Sequence, residues 1–148
     1  MSLAERLPVA LPVTGGCQCG AVRYEARAQP ISPSLCHCRM CQKAYGNVFG
    51  ALVWFPTESF RFTAGAPKEY RSSKIAVRGF CVNCGTPLTF AYDARPEQIA
   101  VTIGSLDRPE IAPPEVHWGV ESWVSWLRMN DGLPRRRTEE APDFVDGL

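Results

Sequence analysis

The 148-residue chain is 45% hydrophobic and 21% charged, with a formal net charge of +1. These values suit one folded unit with a buried core and exclude the charge-driven nucleic-acid or membrane-surface binding of strongly basic chains. No apolar run reaches the length of a membrane span. Residues 1–13, interrupted by Pro8 and Pro12 and carrying Glu5, do not read as a signal peptide. The expectation is a cytoplasmic protein with a single domain over residues 1–148. In that setting seven cysteines, an odd number, point to metal rather than to disulfides.

In chain order, residues 1–14 read as a lead-in with a short strand near 8–13. Gly15-Gly16-Cys17-Gln18-Cys19-Gly20 follows. Its glycines let the backbone turn tightly and aim N–H groups at sulfur. Residues 21–27 alternate as a half-buried strand, with Val22, Tyr24 and Ala26 inward. Pro30 and Pro33 predict a loop over 29–34. It leads into Cys36-His37-Cys38-Arg39-Met40-Cys41. In an extended segment residues i and i+2 share a side, so Cys36 and Cys38 face one ion while His37 faces away. A turn or helix start after Cys38 brings Cys41 to the same point. Residues 39–45 fit about two helical turns, stopped by Gly46.

Further strands are predicted over 48–55, 59–63, 68–71, 74–80, 88–92 and 98–103, with turns at Pro56, Gly65-Ala66-Pro67 and Ser72-Ser73. The 74–80 strand delivers Cys81-Val82-Asn83-Cys84-Gly85. Residues 107–114 carry prolines and read as a loop, 116–118 as a short strand, and 121–128 as a short helix or extended segment. Arg135-Arg136-Arg137 reads as a solvated basic patch in a tail. Short strands at turn-punctuated spacing indicate an all-β domain, sandwich- or barrel-like, with short helical turns.

The cysteines divide as four plus three. Cys17, Cys19, Cys81 and Cys84 are the complement of a closed structural zinc site, provided the fold returns to its start. Cys36, Cys38 and Cys41 give three corners of a tetrahedron and leave a fourth position for water or substrate, the catalytic arrangement. Two alternatives stand beside the open site: a closed one with His117 or His37 as fourth ligand, and a metal-free redox trio.

Gly15-Gly16-Cys17-x-Cys19-Gly20-Ala21-Val22-Arg23-Tyr24, then Cys36-His37-Cys38-x-x-Cys41, then Arg78-x-Phe80-Cys81-x-x-Cys84-Gly85-Thr86-Pro87-Leu88, resembles the glutathione-dependent formaldehyde-activating enzyme family. Gly104-Ser105-Leu106-Asp107, the Pro114 and His117 region, and Trp126 followed by Asp131-Gly132-Leu133-Pro134 extend the resemblance over nearly the whole chain. The resemblance implies a β-tent of two small antiparallel sheets held by zinc. It implies two zinc ions per chain, a structural one on Cys17, Cys19, Cys81 and Cys84 and a catalytic one on Cys36, Cys38 and Cys41. It also implies a carbon–sulfur lyase or synthase reaction, addition of glutathione to formaldehyde to give S-hydroxymethylglutathione.

The partners implied are a small-molecule thiol and an aldehyde, with no nucleic acid and no membrane. Coordination would deprotonate a thiol of ordinary pKa near 8.5. Three thiolates leave zinc with a net charge of about −1, which favours thiol capture over carbonyl polarisation. Arg39, Lys43, Arg71, Lys74 and Arg78 are candidate partners for the glutathione carboxylates. The competing reading is a non-catalytic zinc-stabilised binding module on the same scaffold, as in guanine-nucleotide-exchange chaperone relatives; the thiol triplet weighs against it. A methionine sulfoxide reductase would want paired C-x-x-C motifs, which the C-x-C at Cys17 does not supply.

Overall fold

The computed structural model describes residues 6–145. Ten strands and one α-helix follow in order: β1 (Val13–Gly16), β2 (Arg23–Ala26), β3 (Ile31–Cys36), α1 (Arg39–Tyr45), β4 (Gly50–Pro56), β5 (Phe60–Ala64), β6 (Lys68–Arg71), β7 (Ala76–Phe80), β8 (Pro87–Tyr92), β9 (Gln98–Thr102) and β10 (Val116–Trp118), with short 3-10 turns between and after them. The strands form a three-stranded sheet, β1-β2-β5, and a seven-stranded sheet, β10-β3-β4-β9-β8-β7-β6. The all-β expectation holds. The sheets are unequal, however, and β10 runs parallel to β3, pairing Trp118 with Cys36. A parallel return needs a long connection. Residues 103–115 supply it.

The chain folds this way because the central strands are apolar on both sides. Along β4, Val53 and Phe55 enter the main core with Tyr24, Leu88 and Val101. Leu52 and Trp54, offset by one residue, join a second cluster with Ala76, Phe90, Ala100 and Tyr92. One face of the large sheet therefore covers the small sheet, and the other is a second apolar surface. A continuous apolar run is the signature of a strand covered on both faces. Tyr24 and Ala26 of β2, and Val22 just before it, are buried as expected, and the Tyr24 hydroxyl lies 2.7 Å from Ser105 Oγ.

Several expectations shift. The strand anticipated near 8–13 lies at Val13–Gly16. Residues 29–34, predicted as a loop, lie largely in β3. The pairing of β3 with β4 is irregular between Ile31 and Ser34, and Ser32 has φ of 45°. Pro33 sits inside that bulge, where its missing N–H is tolerated. Beyond β10, residues 121–128 contribute only the end of a 3-10 turn (Val120–Ser122), and Trp123 Nε1 donates to the Leu127 carbonyl at 3.0 Å. The arginine triplet is exposed, as expected of a solvated patch, and its side chains also find partners. Arg135 lies 4.2 Å over the Trp123 ring, and Arg137 pairs with Glu139 at 2.9 Å. No helix among the described residues is long and apolar enough to cross a membrane.

Candidate metal centres and the adjoining cavity

The turn after β1 and the turn after β7 bring four thiols together. Cys17, Cys19, Cys81 and Cys84 place their sulfurs within 4.8 Å of one another. Cys17 Sγ lies 3.6 Å from Cys19 Sγ, which lies 3.9 Å from Cys81 Sγ. A tetrahedral ion with metal–sulfur bonds of about 2.3 Å needs sulfurs about 3.8 Å apart. Donors surround the group. The Val22 N–H reaches Cys17 Sγ at 3.2 Å, and Asn83 Nδ2 reaches Cys19 Sγ at 3.2 Å. Hydrogen bonding from Thr86 holds the Cys84 thiol down at about 5. Donors aimed at sulfur and tetrahedral spacing together fit a cation.

The second group forms where β3 hands over to α1. Cys36 ends the strand. Cys38 is the N-cap of α1, and its sulfur accepts from the Cys41 N–H at 3.4 Å. Cys41 lies in the first turn and is buried. Gly46 closes α1 in the left-handed conformation, φ 58°, which places its N–H on the Gln42 carbonyl. The three sulfurs also lie within 4.8 Å of one another. Hydrogen bonds from Cys36 and Cys41 hold the Cys38 thiol down at about 2, and the contacts with Cys38 and Cys41 push Cys36 far up. One thiolate is favoured here, but three like charges need a cation among them.

Neighbouring strands close around this triplet. Gly119, with φ of 66°, passes so near that a Cβ there would stand 2.5 Å from the Cys38 backbone nitrogen. Arg78, on β7, is 5% exposed. It donates from Nη2 to Cys41 Sγ at 3.5 Å and from Nη1 to the Tyr45 hydroxyl at 2.8 Å. Its guanidinium lies 4.7 Å from the Phe90 ring centre.

Neither histidine belongs to the sulfur groups. His37, fully buried, turns away from Cys36 and Cys38 and meets His117, with Nε2 to Nδ1 at 2.9 Å. His117 Nε2 meets Asp131 Oδ2 at 2.7 Å. Burial lowers His37 to about 4, so its ring is neutral near pH 7. When a neutral His117 donates from Nε2 to Asp131, its Nδ1 accepts from His37 Nε2. His37 Nδ1 is then a bare acceptor, and it has no partner. The Trp123 ring stacks on His37 at 4.1 Å and 11°. Both ring nitrogens of His117 are engaged, so this geometry does not supply it as a fourth ligand.

Cys36, Cys38 and Cys41 line a cavity of about 340 Å³. The second apolar face of the large sheet supplies Leu52, Trp54, Phe90 and Tyr92 to its wall, and residues 138–144 supply Thr138, Ala141, Pro142, Asp143 and Phe144. Arg95 pairs with Asp143 at 2.6 Å. Glu121 accepts from the Thr138 N–H at 2.6 Å and from its hydroxyl at 2.7 Å. Of the five cations anticipated as glutathione partners, Arg78 lines this cavity and Arg39, Lys43, Arg71 and Lys74 do not. Arg71 is paired with Asp93 at 2.8 Å. Sequence reasoning missed Trp54, Tyr92, Arg95 and Asp143. The alternation within 50–56 and 87–92 held the signal for the two aromatics.

The family model described as "Glutathione-dependent formaldehyde-activating enzyme" matches residues 12–124. The chain belongs to the glutathione-dependent formaldehyde-activating enzyme family. Among curated proteins it is similar to an uncharacterized lyase of Schizosaccharomyces pombe, 37% identical over 78 residues, 53% of this chain and 56% of that protein. The chain thus matches little more than half the length of that relative. It is also similar to a putative glutathione-dependent formaldehyde-activating enzyme of Halomonas elongata, 27% identical over 139 residues, 87% of this chain and 88% of the relative. Among solved structures, a Rhodobacter sphaeroides protein shares the fold with a TM-score of 0.52 and 18% identity, covering 83% of this chain and 98% of that one. The family match spans all seven cysteines and Arg78, whereas residues 138–144 lie beyond it.

Proposed function

We propose that this chain catalyses the reversible joining of a thiol sulfur to an aldehyde carbon, as in the addition of glutathione to formaldehyde, at the Cys36, Cys38, Cys41 centre. The observation that carries the reading is the contrast between the two sulfur groups. The four-cysteine group satisfies a tetrahedral ion completely. The triplet offers three ligands and lines the cavity. Zinc suits both donor sets. Its role on Cys17, Cys19, Cys81 and Cys84 is structural. When bound at the triplet it supplies a Lewis-acidic position at which an incoming thiol loses its proton.

The chain's own groups do the rest. Cys38 caps α1, so its sulfur is held by the Cys41 N–H rather than by a flexible loop. Arg78 brings a fixed positive charge to Cys41 and offsets the excess negative charge of three thiolates. The apolar wall excludes water from a carbonyl waiting beside the nucleophile, which raises the effective concentration of the pair. In the forward direction a sulfur–carbon bond forms. The π pair of the carbonyl moves to oxygen, which takes up the proton the thiol gives up.

The test is exchange between glutathione and its aldehyde adducts, followed by NMR with zinc-loaded protein. Acceleration over the uncatalysed rate is expected, and it should be lost in Cys38→Ser. No acceleration across a panel from formaldehyde to phenylacetaldehyde, with both sites filled, would remove the reading.

A further inference from the structure

We propose that the aldehyde this centre takes carries an apolar ring, which lies against the aromatic wall formed by Trp54, Phe90 and Tyr92. The inference rests on the thiol–aldehyde reading above and deepens it by naming the substrate class.

Three observations carry it. The first is continuity: these rings and the Cys36, Cys38, Cys41 sulfurs line one cavity, of about 340 Å³. That lies within the range that encloses ring-sized ligands, and formaldehyde has no side group to occupy it.

The second is the arrangement of the wall. The Trp54 and Tyr92 rings lie 5.8 Å apart and nearly parallel, at 14°. Phe90 stands edge-on to both, at 75° to Trp54 and 83° to Tyr92. The rings support one another, so the panel is formed before any ligand arrives. An added ring gains both burial and aromatic contact.

The third is charge. Apart from the cysteine sulfurs, the charged side chains lining the cavity, among the described residues, are Arg78, Arg95 and Asp143. Arg95 is matched by Asp143 at 2.6 Å. Arg78 commits both Nη groups to Tyr45 and Cys41, and its remaining nitrogen, Nε, is unpartnered but fully buried, away from the cavity space. Glutathione carries two carboxylates and an ammonium group. An interior whose cations are already engaged does not match them, so the ionised ends of such a thiol stay at the mouth. The interior volume then belongs to the carbonyl partner. The reaction balances as before: sulfur bonds to the carbonyl carbon, and the thiol proton ends on the new hydroxyl oxygen.

The experiment compares kcat/KM for adduct formation from glutathione with phenylacetaldehyde and with formaldehyde, using the zinc-loaded full chain. Phenylacetaldehyde should be favoured by about tenfold or more. Formaldehyde equal or better would overturn the inference and leave the thiol–aldehyde reading standing. Acceleration of neither would overturn both. In Trp54→Ala and Trp54→Leu, each checked for folding by circular dichroism, the ratio should fall toward one. An unchanged ratio in a folded variant also overturns the inference. Independently of turnover, 2-phenylethanol should show saturable line broadening with the wild-type chain that Trp54→Leu weakens. No broadening with wild type counts against the aromatic site.

Discussion

Arg78 and Cys41 meet at 3.5 Å, the guanidinium from β7 donating to a sulfur on α1, and the arginine is almost wholly buried. Burying a cation costs several kcal/mol unless an anion and further hydrogen bonds answer it. Cys41 Sγ and the Tyr45 hydroxyl answer the two Nη groups and the Phe90 face lies beside the guanidinium, while the buried Nε has no partner. Arg78→Met should therefore weaken metal retention at the triplet by about 10–100-fold and leave the four-cysteine group as tight as before. Competition against a chromophoric chelator reads both sites. Equal retention at the triplet would show that the arginine serves packing alone.

Gly119, directly after β10, lays its backbone against the triplet. Alanine there meets the Cys38 nitrogen at 2.5 Å and the Cys38 Cβ at 2.9 Å, in a conformation with φ of 66°. Gly119→Ala should cost about 1–3 kcal/mol of stability, measured by urea denaturation, and should lower the metal content of the triplet site. A variant of unchanged stability and metal content would mean that β10 shifts freely.

The two sulfur groups should differ in what their loss does to the fold. Cys17 and Cys81 lie in the main core cluster, whereas Cys36, Cys38 and Cys41 lie outside it. Cys81→Ser should abolish cooperative unfolding or lower Tm sharply, because a structural metal contributes folding energy directly. Cys36→Ser should unfold cooperatively with one fewer metal equivalent. The reverse order, read by calorimetry and elemental analysis, would exchange the roles.

Arg23 donates to both carboxylate oxygens of Asp107, at 2.9 and 2.5 Å, and Thr14 adds a third donor at 2.6 Å. The Arg23 hydrogen bond holds the Asp107 carboxyl below its ordinary value. A carboxyl depressed in the folded state contributes stability that is present above its unfolded pKa, about 3.9, and is lost as pH falls through the folded value. Stability should therefore decline below about pH 4 in the wild type and less steeply in Asp107→Asn. Parallel slopes would show that other carboxyls set the acid limb. Both side chains are more than a third exposed, so solvent screening keeps the effect modest.

Asp131 fixes the far end of the histidine pair. Asp131→Ala leaves His117 Nε2 without its acceptor in a buried setting. The expected loss is about 1–3 kcal/mol, accompanied by a change in the near-ultraviolet signal of the stacked Trp123. Stability equal to wild type would mean that the His37–His117 contact stands by itself.

Much of this was legible in the chain. The C-x-C and C-x-x-C spacings named the triplet and the two thiol pairs, because ligand spacing is local, while the meeting of the two pairs depended on the turns after β1 and β7. Arg39–Tyr45 and its glycine stop followed from equally local rules. What escaped depended on distant partners. Pro33 argued for a loop, yet strand pairing on both sides of it supports a bulge. The tail arginines read as solvated and are exposed, but the seat of Arg135 over Trp123, earlier in the chain, could not be read from local spacing. The cavity wall was missed for a similar reason. Trp54 and Tyr92 read as ordinary strand aromatics until the sheet showed which face each one shares.

The wall contributed by residues 138–144 gives the protein two parts with separate histories available to them. The sulfur framework and Arg78 fall within the span held in common with the family. The stretch that finishes the chamber begins 14 residues beyond residue 124, where that span ends. It is fastened by Arg95–Asp143 and Glu121–Thr138, contacts made from its own side chains. Substitutions there can resize the chamber without disturbing a metal ligand. Homologues with the same seven cysteines and different tails should therefore diverge in what they accept while retaining one chemistry.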